Sequence, residues 1–257
     1  MEILKRHEPD PLRQACLSPL IQEGGCLLRQ GHPKEQAMNH YLIPSGNVPS
    51  MERPIQIAAF DAVIFDLDGT LIDSEHWHKR AEIETFLALG FRVEEHDLTP
   101  FVGTTLPDML KGIAPEITVD TFLEVEVPIL AGYIRQEMEM FSDAIGLARR
   151  IQSRRALATS SMAWYVAEVL ARFDELAELF PVRLCQADVL NGKPDPEIFL
   201  KACALLGVSP CRALVVEDSR NGVLGARAAG CAVVGIDRTG LLDLSEADAV
   251  LTSLDAL

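Results

Sequence analysis

Short apolar runs alternate with amphipathic segments from residue 58 to the C-terminus. This alternation predicts strands separated by helices, which is the order typical of a parallel α/β sheet. The predicted strands are residues 58–65, 155–158, 182–185, 213–216, 231–236 and 249–251. The predicted helices between them are residues 144–152, 163–179, 196–206 and 222–229. We therefore expect an α/β fold built on a parallel sheet.

One long gap interrupts the alternation between Leu71 and Ser142, where we predict helices and no strand. Apolar residues recur at helical spacing over residues 74–89, and residues 118–140 have a similar pattern. Pro128 lies inside the second of these segments and is expected to kink or divide it. We predict a helical cap over residues 73–140, inserted into a core formed by residues 56–72 and 141–257. It would cover the carboxyl end of the first strand, where open α/β sheets bind ligands.

Residues 1–55 are polar, lack a hydrophobic period and contain several prolines and glycines. We expect an irregular extension here, and the alternative is that Met51 is the natural start. The net charge of −15 argues against nucleic acid or an anionic membrane as a partner. Six scattered cysteines without paired spacing suggest a reduced, cytoplasmic location, and no apolar stretch reaches membrane-spanning length.

The most informative stretch of the sequence is VIFDLDGTL, residues 63–71, in which an apolar run ends in Asp66 and Asp68. Alternate residues of an extended segment face the same side, so the two carboxylates point together. At a separation of about 4 Å they would repel by roughly 4 kcal/mol at an effective dielectric of 20. A shared proton or a bound cation is needed to offset this repulsion.

Polar groups follow three further predicted strands or precede the helices after them. They are Thr159-Ser160-Ser161, Lys193 within GKPDPE, and Glu217-Asp218. Each group alone has a simpler explanation, namely a helix cap, a solvated lysine or a solvated loop. Together, the carboxylates suit a hard cation such as Mg²⁺, and the hydroxyls, amides and lysine suit a phosphate. An EF-hand is excluded because Asp68 directly precedes Gly69, and the chain lacks a P-loop.

Four segments resemble the motifs of the haloacid dehalogenase superfamily of phosphotransferases. They are FDLDGTLIDSE, LATSS, GKPDPEIF and VVEDSRNGVLGARAAG, and they occur in the family's order over residues 58–257. The resemblance is to the subgroup with a helical cap, which includes β-phosphoglucomutase and many sugar-phosphate phosphatases. It implies a Rossmann-like, doubly wound parallel sheet with an inserted α-helical cap domain.

The resemblance also implies catalytic and metal-binding roles. Asp66 would be the nucleophile that forms an aspartyl-phosphate, and Asp68 would be the general acid and base. Asp66, the Asp68 carbonyl and Asp218 would hold Mg²⁺, with Glu217 as a further ligand or a neighbour of the ligands.

The phosphate-binding residues implied by the resemblance are Thr159, Ser160 and Lys193.

In the cap, His78 matches a histidine that lies near the reacting groups of the mutase. The alternative is that His76 and His78 are a pair of exposed helix residues. Gly103 and Thr104 match a cap loop that contacts substrate.

The mutase that this subgroup includes has an arginine shortly after the matching glycine, which binds the far phosphate of its bisphosphate intermediate, whereas residues 103–107 contain no basic residue. We therefore expect a Mg²⁺-dependent phosphatase acting on a small sugar or polyol phosphate. A phosphosugar mutase and a catalytically silent binding protein are the alternatives. The sequence does not determine the substrate or the oligomeric state.

Overall fold

The structure is a computed structural model that describes residues 55–101 and 105–257. The predicted N-terminal extension lies outside the described residues except for its last position, and so do Gly103 and Thr104. No helix in the described ranges is long and apolar enough to cross a membrane.

Six parallel strands form the central sheet, as the sequence predicted. They are β1 (Ala62–Phe65), β4 (Arg154–Ala158), β5 (Val182–Leu184), β6 (Ala213–Glu217), β7 (Ala232–Ile236) and β8 (Ala249–Leu251). Their order is β5-β4-β1-β6-β7-β8, so the first strand lies in the middle of the sheet. Phe65 pairs with Leu157 and with Val216, so that β4, β1 and β6 end close to one another. Residues that follow these strands therefore meet at one edge.

Helices cover both faces of the sheet, which makes the fold doubly wound. The helices are α5 (Ser142–Arg150), α6 (Ala163–Arg172), α7 (Asp174–Leu179), α8 (Glu197–Leu206) and α9 (Arg220–Ala228). Helices α5, α6 and α7 share an apolar cluster with one face, and α8 and α9 share another with the opposite face. The predicted helix 163–179 is in fact two helices, because Phe173 leaves the helical conformation at φ −116° and ψ 70°.

Four helices lie between the first strand and α5, and we call residues 74–138 the helical insertion. They are α1 (Glu75–Ala88), α2 (Glu95–Leu98), α3 (Leu106–Ile113) and α4 (Val119–Gln136). The insertion has its own apolar cluster, in which the rings of Phe86 and Phe122 pack edge to face at 5.0 Å. The prediction that Pro128 might divide the last helix is wrong, since α4 continues through it. Pro128 and Glu124, whose carbonyl loses its helical donor, are both exposed, so water can replace the missing bond.

The predicted absence of strands between Leu71 and Ser142 is also wrong. Strand β2 (Ile72–Asp73) pairs antiparallel with β3 (Glu139–Met140) in a separate two-stranded sheet. Two-residue strands carry no detectable period, which is why the hydrophobic pattern missed them. Ile72 lies opposite Met140, so the chain enters and leaves the helical insertion at neighbouring positions.

Candidate active site

Lys193 occupies the centre of the polar groups at the carboxyl edge of the sheet. Its ammonium lies 2.5 Å from Asp66 Oδ1, 2.6 Å from Glu217 Oε1 and 2.9 Å from the carbonyl oxygen of Ala158. The lysine side chain is 4 % exposed, and the two carboxylates raise its pKa against the effect of burial. An ammonium with three acceptors and almost no solvent is a fixed positive charge beside Asp66.

Asp66 follows directly after β1 and is itself buried, with 6 % of its surface exposed. Its amide donates to the carbonyl oxygen of Val216 at 3.0 Å, which anchors the end of β1 to β6. Burial, together with the Glu217 and Asp68 carboxylates, raises the pKa of Asp66 to about 8, whereas Lys193 lowers it. The Asp66 carboxylate is thus fixed in position, but the single Lys193 charge does not fully offset burial and the neighbouring negative charges.

Glu217 and Asp218 end strand β6 and have different surroundings. Glu217 is fully buried and accepts hydrogen bonds from Lys193 and from the amide and hydroxyl of Ser219. Asp218 has no hydrogen-bond or ion-pair partner within the described parts of the chain. Burial and repulsion from Asp66 and Glu217 raise its pKa to about 9. Its carboxylate packs against Gly69, where an added Cβ would lie 1.8 Å from Oδ2.

Asp68 is held by hydroxyl groups from three separate segments. Ser74 Oγ donates to Oδ1 at 2.6 Å, the Tyr165 hydroxyl donates to Oδ1 at 2.5 Å, and Ser161 Oγ donates to Oδ2 at 2.5 Å. Burial works against ionisation, but the nearby His78 imidazole and the hydrogen bonds from Ser161 and Ser74 lower the pKa of Asp68 to about 2. The two aspartates therefore have pKa values shifted in opposite directions.

Sequence reasoning did not connect Ser74, Ser161 and Tyr165 with Asp68. Two of them belong to segments that the sequence singled out, since Ser74 lies in FDLDGTLIDSE and Ser161 in LATSS. Tyr165 lies in the first turn of α6, and no local pattern indicates that its phenol reaches Asp68.

His78 lies next to Asp68, with Nε2 3.6 Å from Oδ1 and its ring 5.0 Å from that of Tyr165. The interpretation of His76 and His78 as two exposed residues is therefore wrong for His78, which is half-buried. It holds for His76, whose side chain is 56 % exposed. Burial opposes protonation of His78, and the Asp68 carboxylate outweighs it and raises the pKa.

Thr159 and Ser160, the predicted phosphate-binding hydroxyls, lie after β4 at the same edge. Thr159 is 1 % exposed, and its Oγ1 donates to Ser161 Oγ at 2.9 Å and accepts from the Ser161 amide at 3.0 Å. Ser160 is exposed. The Thr159 hydroxyl thus shapes the turn, and the Ser160 side chain faces solvent beside it.

A cavity of about 320 Å³ adjoins His78 and lies mainly within the helical insertion. Acidic side chains, a lysine and apolar groups form its walls. The walls include Glu75, Lys79, Glu82, Glu95 and Glu126, with Met109 and Leu106 among the apolar residues. Burial raises the pKa of Glu82, and burial with the Glu82 charge raises the pKa of Glu126 to about 7. The cavity therefore extends from His78, which lies beside Asp68, into an acidic part of the helical insertion.

A doubly wound parallel sheet with an aspartate pair, a buried lysine and hydroxyls at its carboxyl edge is an arrangement suited to binding an anionic ligand. A sequence model of the haloacid dehalogenase-like hydrolases matches residues 60–230. The chain belongs to that family.

Two characterised relatives are named as phosphatases. Validoxylamine A 7'-phosphate phosphatase of Streptomyces hygroscopicus is 31 % identical over 202 residues, covering 76 % of this chain and 94 % of the relative. Hexitol phosphatase B of Escherichia coli K12 is 30 % identical over 196 residues, covering 70 % and 83 %. Within this family, the chain is a phosphoric monoester hydrolase.

The solved structures agree with the fold. The crystal structure of CbbY from Rhodobacter sphaeroides in complex with phosphate matches with a TM-score of 0.68 and 27 % identity. The match covers 76 % of this chain and 95 % of that protein. The same protein has also been solved with xylulose-1,5-bisphosphate.

Proposed function

We propose that this protein is a Mg²⁺-dependent phosphatase that hydrolyses a small sugar or polyol phosphate through an aspartyl-phosphate. The observation that carries the proposal is the buried Asp66 carboxylate held 2.5 Å from the Lys193 ammonium. The names of the relatives point to the same substrate class, since they include a hexitol phosphatase and a phosphatase of validoxylamine phosphate.

In the proposed first half-reaction, an Asp66 oxygen attacks the phosphorus atom and forms the aspartyl-phosphate. The bond from phosphorus to the leaving oxygen breaks, its electron pair stays on that oxygen, and Asp68 delivers the proton. The Asp68 carboxylate takes up this proton only when the phosphate charge is bound beside it, because its pKa in the free site is about 2. In the second half, Asp68 takes a proton from water, the water oxygen bonds to phosphorus, and the bond from phosphorus to Asp66 breaks, which restores the carboxylate and releases phosphate. Lys193 supports both halves because it offsets the charge on the phosphoryl oxygens.

The chemistry of the carboxylates fits a divalent cation. Asp66 and Glu217 contact Lys193, and Asp218 lies near both of them. Burial together with the neighbouring carboxylates raises the pKa of both Asp66 and Asp218. Within residues 55–101 and 105–257, no three His, Cys, Asp or Glu side chains are grouped to hold a metal. We propose instead that the Asp66 and Asp218 carboxylates with the Asp68 carbonyl would hold Mg²⁺, which commonly takes one or two carboxylates. When bound, the ion would supply positive charge that favours approach of a phosphate to Asp66.

We propose that the helical insertion acts as the cap and that its cavity holds the alcohol part of the substrate. The four carboxylates of the cavity named above can accept hydrogen bonds from hydroxyl groups. Lys79 is paired with Glu75 at 3.0 Å and lies 3.9 Å from Glu95. Its charge is thus already offset, so the described part of the cavity is better suited to a neutral hydroxylated group than to a second phosphate.

The test measures inorganic phosphate released from a panel of sugar and polyol monophosphates, with Mg²⁺ and with EDTA. We expect release that needs Mg²⁺ and does not need a bisphosphate activator. An incubation with β-glucose 1-phosphate and glucose 1,6-bisphosphate tests for mutase chemistry. Steady glucose 6-phosphate formation with little free phosphate would overturn the proposal.

A further inference from the structure

Tyr165 brings a buried phenol from helix α6 to the Asp68 carboxylate. Its side chain is 2 % exposed, and its hydroxyl lies 2.5 Å from Asp68 Oδ1. The Ser74 hydroxyl also lies beside the phenol, but it donates its own proton to Asp68 Oδ1, and the sulfur of Met138 at 3.8 Å is a much weaker acceptor. The phenol proton therefore has one strong acceptor, and that acceptor is Asp68.

The hydrogen bonds to Asp68 are distributed unevenly between its two oxygens. Oδ1 accepts from Ser74 and Tyr165 and also lies 3.6 Å from His78 Nε2, whereas among the described residues Oδ2 accepts from Ser161 alone. A carboxylate oxygen offers about two lone-pair directions, so Oδ1 is fully used and Oδ2 retains capacity. The arrangement leaves Oδ2 as the oxygen able to exchange a proton.

We propose that Tyr165 is a positioning residue that fixes Asp68 so that Oδ2 faces the leaving group. This inference rests on the proposed function, in which Asp68 gives its proton to the leaving oxygen as the phosphorus–oxygen bond breaks. Tyr165 can hold this orientation because its ring is fixed in the core, where it packs against Trp164 and His78. The phenol itself neither gains nor loses a proton during the reaction.

The leaving group provides a way to detect this role. An alkoxide or a phenolate of ordinary basicity needs protonation as it departs, whereas p-nitrophenolate is stable without it. A misplaced Asp68 should therefore slow hydrolysis of phenyl phosphate more than hydrolysis of p-nitrophenyl phosphate. A loss of folded protein would reduce both rates equally, and hydrolysis of the aspartyl-phosphate is common to both esters. The ratio of the two kcat/KM values is therefore independent of the folded fraction and of that second step.

The experiment compares Tyr165→Phe with the unaltered full chain on these two esters in the presence of Mg²⁺. We expect kcat/KM for phenyl phosphate, which reports the first half-reaction, to fall about tenfold and kcat/KM for p-nitrophenyl phosphate to fall less than about threefold. Tyr133→Phe is the matched control, because its hydroxyl donates to Glu84 at 2.6 Å on the helical insertion, away from Asp68. It should leave both kcat/KM values unchanged.

Measuring Asp68→Asn on the same two esters distinguishes failure of the Tyr165 role from failure of the proposed function. If Asp68→Asn discriminates between the leaving groups and Tyr165→Phe does not, the role of Tyr165 is refuted and the proposed function stands. If Asp68→Asn also fails to discriminate, or the unaltered protein does not hydrolyse p-nitrophenyl phosphate, the proposed function is overturned and the inference with it.

Discussion

Acidic side chains gather in two neighbouring regions, the carboxyl edge of the sheet and the cavity of the helical insertion. At the sheet edge, Asp66 and Glu217 share the Lys193 ammonium at 2.5 and 2.6 Å. In the cavity, Glu82 and Glu126 have no hydrogen-bond partner among the described residues, and burial raises the pKa of both. The carboxylates at the sheet edge are thus bound to a fixed ammonium, whereas Glu82 and Glu126 in the cavity remain able to accept hydrogen bonds from a ligand.

The largest effect on the rate of hydrolysis should come from replacing the Asp66 carboxylate with an amide. Asp66→Asn is expected to lower kcat on the order of 10⁴-fold or more, because the amide cannot form the aspartyl-phosphate. The measurement is steady-state hydrolysis of p-nitrophenyl phosphate. Asp61→Asn makes the same chemical change at an exposed carboxylate paired with Arg212 and should retain normal rates. A rate within about tenfold of normal for Asp66→Asn would contradict the mechanism.

Without the Lys193 ammonium, the carboxylates at the sheet edge would lack a partner, as Glu82 and Glu126 in the cavity do among the described residues. Lys193→Met should lower kcat about 10²-fold or more, since the charge beside the phosphate is lost. It should also lower the free energy of unfolding by about 3 kcal/mol, because two buried carboxylates lose their partner. Urea unfolding measures the second effect. Lys201→Met is the control, as its half-exposed pair with Glu197 should contribute less than about 1 kcal/mol. Equal stability losses in the two variants would contradict the distinction.

Asp143 is a third kind of carboxylate, which is bound by an arginine and a backbone amide away from Asp66 and Asp68. It accepts from Arg238 at 2.9 and 3.0 Å and from the Leu254 amide at 2.8 Å. Burial opposes these bonds, but they lower the pKa of Asp143 to about 2.

A lowered carboxylate pKa stabilises the fold above the unfolded value of 3.8, and this stability is lost as pH falls towards 2. Asp143→Asn should therefore lower the free energy of unfolding by about 2 kcal/mol at pH 7, and the difference should shrink as pH falls below about 4. Urea titrations from pH 7 to pH 3 measure it. A difference that stays constant over this range would argue against the ionic contribution.

The smallest effect is expected at Glu126, and its sign is opposite. Its pKa is raised from 4.5 to about 7, so stability is lost progressively as pH rises from about 4.5 to about 7 and stays lowered above that. Glu126→Gln removes this cost and should raise the free energy of unfolding by roughly 1 kcal/mol at pH 8 and by little at pH 5. Glu124→Gln, at an exposed position on the same helix, should have no pH-dependent effect. A destabilised Glu126→Gln at pH 8 would show that the carboxylate is partnered after all.

The central sheet was predictable because its strands are apolar runs of three to eight residues that end in recognisable polar groups. The positions of Asp66, Lys193 and Glu217 followed from the rule that parallel strands present their carboxyl ends at one edge. The partners of Asp68 did not follow, because Tyr165 and His78 reach it from two different helices. Such contacts depend on how helices pack, and no local pattern encodes that packing.

The pairing of β2 with β3 gives the fold a modular design. Ile72 lies opposite Met140 and Asp73 opposite Glu139, so the two ends of the 65-residue helical insertion are neighbours across one antiparallel pair. Opposed residues in such a pair lie about 5 Å apart, a distance that a tight turn can also bridge. Segments of very different length could be exchanged at this junction without shifting the register of the central sheet. Helical insertions of different length can thus be exchanged while the central sheet stays unchanged.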